Sequence, residues 1–244
     1  MSSTAETAQE KNAVSLDDEQ AVKKVLIDSV QGLWRIVNDL TRLRPTKRDS
    51  YRVTIFGSAR AKPGTIAYEE TKRVASAVAG MGCDIITGGG PGLMQAANEG
   101  TELGGTNHGK SVGIRVDLPF EQEVNPFVEM AFDHGTFFTR LHHFVLASDA
   151  FVVAPGGIGT VLELTMIWQL IQVNHLEKNT PLILVGKMWP GFVEWARTEM
   201  LGFETPLVNA EDMNIPVCVP TGDEAIAILR EHHAKWQEVN KAGV

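Results

Sequence analysis

Two glycine-rich turns, one arginine and one glutamate carry the chemistry this sequence can do. The apolar run Ala150–Val153 opens into Pro155-Gly156-Gly157-Ile158-Gly159-Thr160-Val161-Leu162-Glu163, and a long helical pattern follows. Strand, glycine turn and helix in that order build a phosphate-binding turn. Glycines let backbone N–H groups approach an anion, Thr160 adds a hydroxyl donor, and the positive end of the helix favours negative charge. Gly156, Gly157, Ile158, Gly159 and Thr160 are therefore candidate phosphate ligands. Glu163 is placed in the first turn of that helix, where a carboxylate repels a phosphate docked directly on the N-terminus. It is expected to address another part of the ligand.

Gly88-Gly89-Gly90-Pro91-Gly92, the first of the two in chain order, forms another turn of this kind after the run Cys83–Thr87, and Gly57-Ser58 follows a third apolar run. Open α/β sheets bind ligands at such strand ends, so Gly57, Ser58, Gly89 and Gly90 join the candidate binding residues. Neither glycine-rich turn completes a dinucleotide fingerprint, because Gln95 and Leu162 occupy the last position. Neither has the Gly-Lys-Ser/Thr of a P-loop. No NAD or ATP cofactor is expected. Arg140 lies among Phe137, Phe138, Leu141 and Phe144, and an arginine in such surroundings needs an anionic partner. His134, His142 and His143 lack the spacing of a helical metal pair, and no metal is expected.

Positioning these residues requires an alternating fold. From Tyr51 onward strand-like and helical patterns alternate, which predicts an α/β, doubly wound, mainly parallel sheet (Rossmann-like) flanked by helices. Strands are expected at 53–56, 83–87, 112–116, 128–132, 150–153, 182–185 and 216–219. Helices are expected at 66–79, after Gly92, around 137–146, from the second turn to about 172, at 190–200 and from about 223. Ahead of this domain, 45–244, stand an expected disordered tail, 1–14, and an N-terminal helix, 15–44. A Ser15/Asp18 cap starts that helix, and Val22, Val25, Leu26, Val30, Leu33, Val37 and Leu40 recur at helical spacing. The basic run Arg42, Arg44, Lys47 and Arg48 reads as a solvated helix C-terminus.

Composition narrows the function. A formal net charge of -8 argues against a nucleic-acid polymer as partner, since that binding rests on a basic surface. Two cysteines, Cys83 and Cys218, each in an apolar run, suggest buried thiols in a reducing compartment. No run of apolar residues is long enough to span a membrane, so a cytoplasmic protein is expected.

Taken together, TGGGPGLMQAAN at 87–98, LPFEQ at 118–122, FFTR at 137–140 and PGGIGTVLE at 155–163 resemble the LOG (LONELY GUY) family. The resemblance covers about residues 52–201. Members are phosphoribohydrolases of nucleoside 5′-monophosphates, including cytokinin ribotides, and are often labelled lysine decarboxylases. The resemblance implies Arg140 and Glu163 as a catalytic pair, the second turn as the 5′-phosphate site, no cofactor, and a homodimer or higher homo-oligomer. Glu121 in the LPFEQ loop is the candidate for contacting ribose or base. Two positions depart from the common pattern. Leu141 follows Arg140 where lysine is usual, and Gln95 stands where glutamate is usual; losing a cation beside the phosphate weakens anion binding or changes substrate choice. The competing reading is a carrier or sensor of a phosphorylated nucleotide or molybdenum-cofactor-like ligand. The motifs contain no lysine placed for Schiff-base chemistry, so the decarboxylase label has no support in them.

Overall fold

The computed structural model describes residues 14–40, 49–105, 109–116 and 124–242. Contacts divide the chain into two units, 1–46 and 47–244. The described residues of the first form the helix α1 (Glu19–Leu40). It starts later than expected: the Asp18 carboxylate, not Ser15, accepts from the first turn, at Ala21 N (3.0 Å). Leu26, Val30 and Leu33 on it are exposed. The basic run expected at 42–48 lies outside the described residues.

The second unit is built on a seven-stranded sheet. Its strands are β1 (Arg52–Phe56), β2 (Asp84–Thr87), β3 (Ser111–Val116), β4 (Met130–His134), β5 (Ala150–Val153), β6 (Leu182–Val185) and β7 (Pro216–Val219). They lie in the order β4-β3-β2-β1-β5-β6-β7, and all pairs are parallel. The helices are α2 (Ile66–Ala79), α3 (Leu93–Glu102), α4 (Phe137–Ala147), α5 (Ile158–Gln172), α6 (Trp189–Leu201) and α7 (Gly222–Ala242). The inner strands of the sheet are buried on both faces, which is why they read as continuous apolar runs, whereas the edge strand β4 is largely exposed. Phe56, Ile86, Ile114, Phe151 and Leu184 pack with α4, α5 and α6. Alternate residues, among them Val53, Ile55, Ile85, Val152 and Ile183, pack with α2 and α7.

The chain runs outward from β1 through β2 and β3 to β4, then returns to place β5 on the other side of β1. That reversal opens a crevice above the carboxyl ends of β1 and β5, the position where open α/β sheets bind ligands. The three turns at these ends are bonded to one another. Ser58 N donates to Pro155 O (3.1 Å) and Leu93 N to Ser58 O (2.8 Å).

One strand differs from its expected position. β4 runs over 130–134 rather than 128–132, because Val128 N closes a turn on Asn125 O (3.3 Å) and the ladder begins with Val112 opposite Met130. A 3₁₀ turn at Ala210–Asn214, capped reciprocally by Asn209 and Asp212, was not anticipated. Cys83 is buried, whereas Cys218 is only partly so.

The turn after β2 depends on Gly92. Its φ of 72° and ψ of -130° lie where only glycine is unstrained, and an added Cβ would stand 2.3 Å from Ser58 O. Gly92→Ala should therefore destabilise the fold by about 2–5 kcal/mol, from strain plus overlap. Gly82→Ala, at positive φ but in open space, should cost only about 1–2 kcal/mol. Urea denaturation of the two variants checks the difference; equal losses would show that the Gly92–Ser58 contact carries no weight.

Candidate active site

Arg140 and Glu163 meet inside the protein. Arg140 sits on α4, whose start is fixed by Thr136, the hydroxyl of which accepts from Thr139 N (3.2 Å). Its Nε donates to Ile114 O (2.9 Å), and its Nη1 lies 3.4 Å from Glu163 Oε1. The guanidinium stands over the Phe144 ring, 5.1 Å from the centroid. Each residue of the pair is only 9% exposed. The guanidinium also rests against the first glycine turn, since a Cβ on Gly88 would lie 2.3 Å from Nη2. Gly88 is therefore part of the seat of the arginine.

Glu163 is the sixth residue of α5, not a first-turn residue as its distance from the glycines suggested. That extra turn carries its carboxylate away from the helix N-terminus and into the interior toward α4. Burial pushes its carboxyl up to about 7, and the charge of Arg140 pulls the other way without prevailing. The reason is geometric. A single contact of 3.4 Å is weaker than a bidentate pair, while the loss of water acts on the whole carboxylate.

The N-terminus of α5 faces outward. Gly157 is its N-cap and provides no side-chain cap. The N–H groups of Ile158, Gly159 and Thr160 thus have no intrahelical acceptor, the arrangement in which a helix N-terminus can receive an anion. Gly157, Ile158 and Gly159 are exposed, while Thr160 is buried. A Cβ on Gly156 would lie 2.2 Å from Thr160 Oγ1, so only glycine leaves that hydroxyl its place.

The first turn is held by a buried polar network. Thr87 Oγ1 accepts from Gly89 N (2.9 Å) and donates to Asn98 Oδ1 (2.7 Å). Asn98 Nδ2 donates to Ser111 Oγ (2.9 Å), and Asn125 Nδ2 donates to Asn98 Oδ1 and Gly90 O (3.0 Å each). Gly89, at φ 72°, lies against Gly113 and the Arg115 stem. The sequence reading missed this network; the available signal was a set of polar residues, Thr87, Asn98 and Ser111, inside otherwise apolar elements.

The structure thus brings Arg140, Glu163 and the turn at Gly88 together and starts α5, at Ile158, about one and a half helical turns before Glu163. Gly57 packs against Leu93 and Ala154, joining the first strand end to both turns, and Ser58 Oγ accepts from Arg60 N (3.1 Å). Glu121 and the LPFEQ loop lie outside the described residues. Leu141, at 8% exposure, is a core residue. His134 Nε2 and His143 Nδ1 are 2.9 Å apart, and burial lowers the pKa of both. Among the described residues no group of three or more His, Cys, Asp and Glu side chains is arranged for a metal, and no helix is long and apolar enough to cross a membrane. A separate cavity of about 430 Å³ opens at the amino ends of β6 and β7, away from these residues.

Known proteins resemble the chain in family and in fold. A family model described as "Possible lysine decarboxylase" matches residues 94–229. The molybdenum cofactor carrier protein from Chlamydomonas reinhardtii superposes with a TM-score of 0.56 at 18% identity, over 76% of this chain and 99% of that one. The molybdenum cofactor binding protein from Rippkaea orientalis gives 0.55 at 19%, over 77% and 98%. At these identities the likeness is one of fold. No curated protein matches the sequence.

Glu163 makes stability depend on pH in a defined direction. Its carboxyl is raised from 4.5 to about 7 on folding, so between those values the folded protein holds a proton that the unfolded chain has released. The stabilisation is full below 4.5 and is lost as pH rises through 7. Wild type should lose up to about 3 kcal/mol from this group between about pH 4 and pH 8, and Glu163→Gln should lack that component. Denaturant titrations at both pH values check it; parallel pH dependence in the two proteins would contradict it.

Proposed function

The chain belongs to the family described as "possible lysine decarboxylase", and from that premise we propose that it hydrolyses the N-glycosidic bond of a nucleoside 5′-monophosphate, of the AMP or cytokinin-ribotide type, to free base and ribose 5-phosphate. The observation that carries this reading is the buried Arg140–Glu163 contact beside two glycine turns, with the Glu163 carboxyl held near 7. The 5′-phosphate sits on the N–H groups of Ile158, Gly159 and Thr160, where the helix end supplies donors and positive potential. Glu163, further along the same helix, then faces the ribose.

As the bond from C1′ to the base nitrogen lengthens, positive charge develops on the sugar. Ionised Glu163 stabilises that charge and takes a proton from water as the water oxygen bonds to C1′. The electrons of the breaking bond leave with the base, which acquires a proton. Arg140 orients Glu163 and keeps part of its population ionised near neutrality. General-base help of this kind is worth about 10² to 10⁴ in rate. None of these steps needs a Schiff base, and the four motifs contain no lysine to form one.

A second reading rests on Leu141. The residue following Arg140 is a buried apolar side chain, which leaves the phosphate one cation poorer than the family's usual pattern, and the two structural relatives named above carry or bind molybdenum cofactor. In that reading the same turns hold a phosphorylated ligand without turning it over.

The two readings separate in a product assay over AMP, GMP, CMP, UMP and isopentenyl-AMP. The hydrolase reading expects turnover of at least one, with kcat/KM rising through about pH 7 as Glu163 ionises. It expects a loss of about 10²-fold or more in folded Glu163→Gln. Absence of turnover, with tight stoichiometric binding of a nucleotide or of molybdenum cofactor, would replace it by the carrier reading.

A further inference from the structure

We propose that the cavity at the amino ends of β6 and β7 is a second ligand site, one that takes an uncharged purine base or nucleoside. The sheet separates it from the Arg140–Glu163 pair. All the strands are parallel, so the glycine turns stand at their carboxyl ends and this cavity at the opposite end. α5 joins the two, with Ile158 at the glycine turn and Ile171 in the cavity wall, about 20 Å of helix apart. The volume of about 430 Å³ lies within the range of small-molecule pockets. Ile183, Val217 and Ile228 give the wall aliphatic surface, suited to the faces of a flat ring.

The open polar groups of the wall are donors. His232 Nδ1 lies 2.6 Å from the hydroxyl of Tyr51, a residue 1% exposed. Burial raises the pKa of that phenol, and its proton has no other acceptor among the described residues, so Tyr51 donates and His232 Nδ1 accepts. Burial, and after it the charge of Lys235, lowers the pKa of His232, so the imidazole is neutral and carries its proton on Nε2. That N–H has no acceptor among the described residues, and Lys178, exposed in the loop ahead of β6, has no ion-pair partner among them. The ligand therefore has to bring acceptors. Charge narrows its class further. Lys178 and Lys235 face three carboxylates, Glu211, Asp212 and Glu231, so the lining carries no positive excess for a phosphate. Two of the carboxylates are already engaged: Glu231 Oε1 pairs with Lys235 Nζ at 2.7 Å, and Asp212 Oδ2 accepts from Gln172 Nε2 at 2.8 Å. An ammonium ligand offers nothing to His232. An uncharged ring with apolar faces and nitrogen or carbonyl acceptors on its edge meets both demands, and a purine or its nucleoside has that form.

Titration with adenine and with adenosine, followed at the His232 imidazole by nitrogen-15 NMR, tests the site where it lies. His232 should start in the Nε2–H form, and both probes should shift its signal saturably, at one molecule per chain. AMP, added to Glu163→Gln so that no base is released, should act on His232 at least about tenfold more weakly, because its phosphate meets the carboxylates of the lining. Val217→Trp, on an edge strand that accepts a large ring, should fill the cavity and abolish the shift with unchanged circular dichroism. If that variant does not fold, Lys178→Ala, at an exposed loop position, should weaken binding by about tenfold through loss of a charged donor. An Nδ1–H His232, a signal unmoved by both probes, an equal response to AMP, or a folded variant that binds as wild type does would overturn the proposal. The site does not rest on the hydrolase reading, which the product assay tests separately.

Discussion

The contact between Arg140 and Glu163 sets the demands that the rest of this structure meets. Two opposite charges at 9% exposure, joined by one 3.4 Å contact, are stable only if every other polar demand of the pair is satisfied. Ile114 O accepts the Arg140 Nε proton, Phe144 presents its ring to the guanidinium, and Gly88 leaves room for Nη2. These three supports come from β3, α4 and the turn after β2. The geometry of the pair is thus a property of the sheet's carboxyl edge as a whole rather than of two residues on neighbouring helices.

That edge is built to be stiff where a ligand would press on it. The Thr87–Asn98–Ser111–Asn125 network satisfies its members internally and fixes the first glycine turn from below. The second turn is fixed differently, by the Thr160 side chain filling the space over Gly156. In the first turn Gly89 N donates to Thr87 Oγ1, whereas no side chain caps the N–H groups at the start of α5. One turn therefore positions the arginine, and the other is open to an anion. Leu141, buried beside Arg140, contributes to the core and adds no charge to this division of labour.

Much of this was legible in the sequence because the signals are local. Glycine runs at the ends of apolar runs mark the turns, and alternating patterns gave the parallel α/β sheet and most element positions. What failed needed partners distant in the chain. β4 was displaced by two residues because Val128 and Phe132 look like strand residues, while the backbone of Asn125 winds 125–128 into a turn. Glu163 was placed one turn too early because a glycine N-cap leaves no side-chain mark of where α5 begins. The role of Gly88 as the seat of a guanidinium could not be read from a turn motif, since the arginine arrives from fifty-two residues later in the chain. Glu121 stays an expectation from family resemblance alone.

In the proposed hydrolase a phosphate on the start of α5 places a sugar carbon at Glu163. A crystal structure of the Glu163→Gln protein soaked with AMP tests it most directly. The phosphate should lie on the N–H groups of Ile158, Gly159 and Thr160, and C1′ within about 3–4 Å of the residue-163 side chain or of a water bonded to it. A phosphate seated elsewhere, or a C1′ far from residue 163 with the phosphate in place, would contradict it.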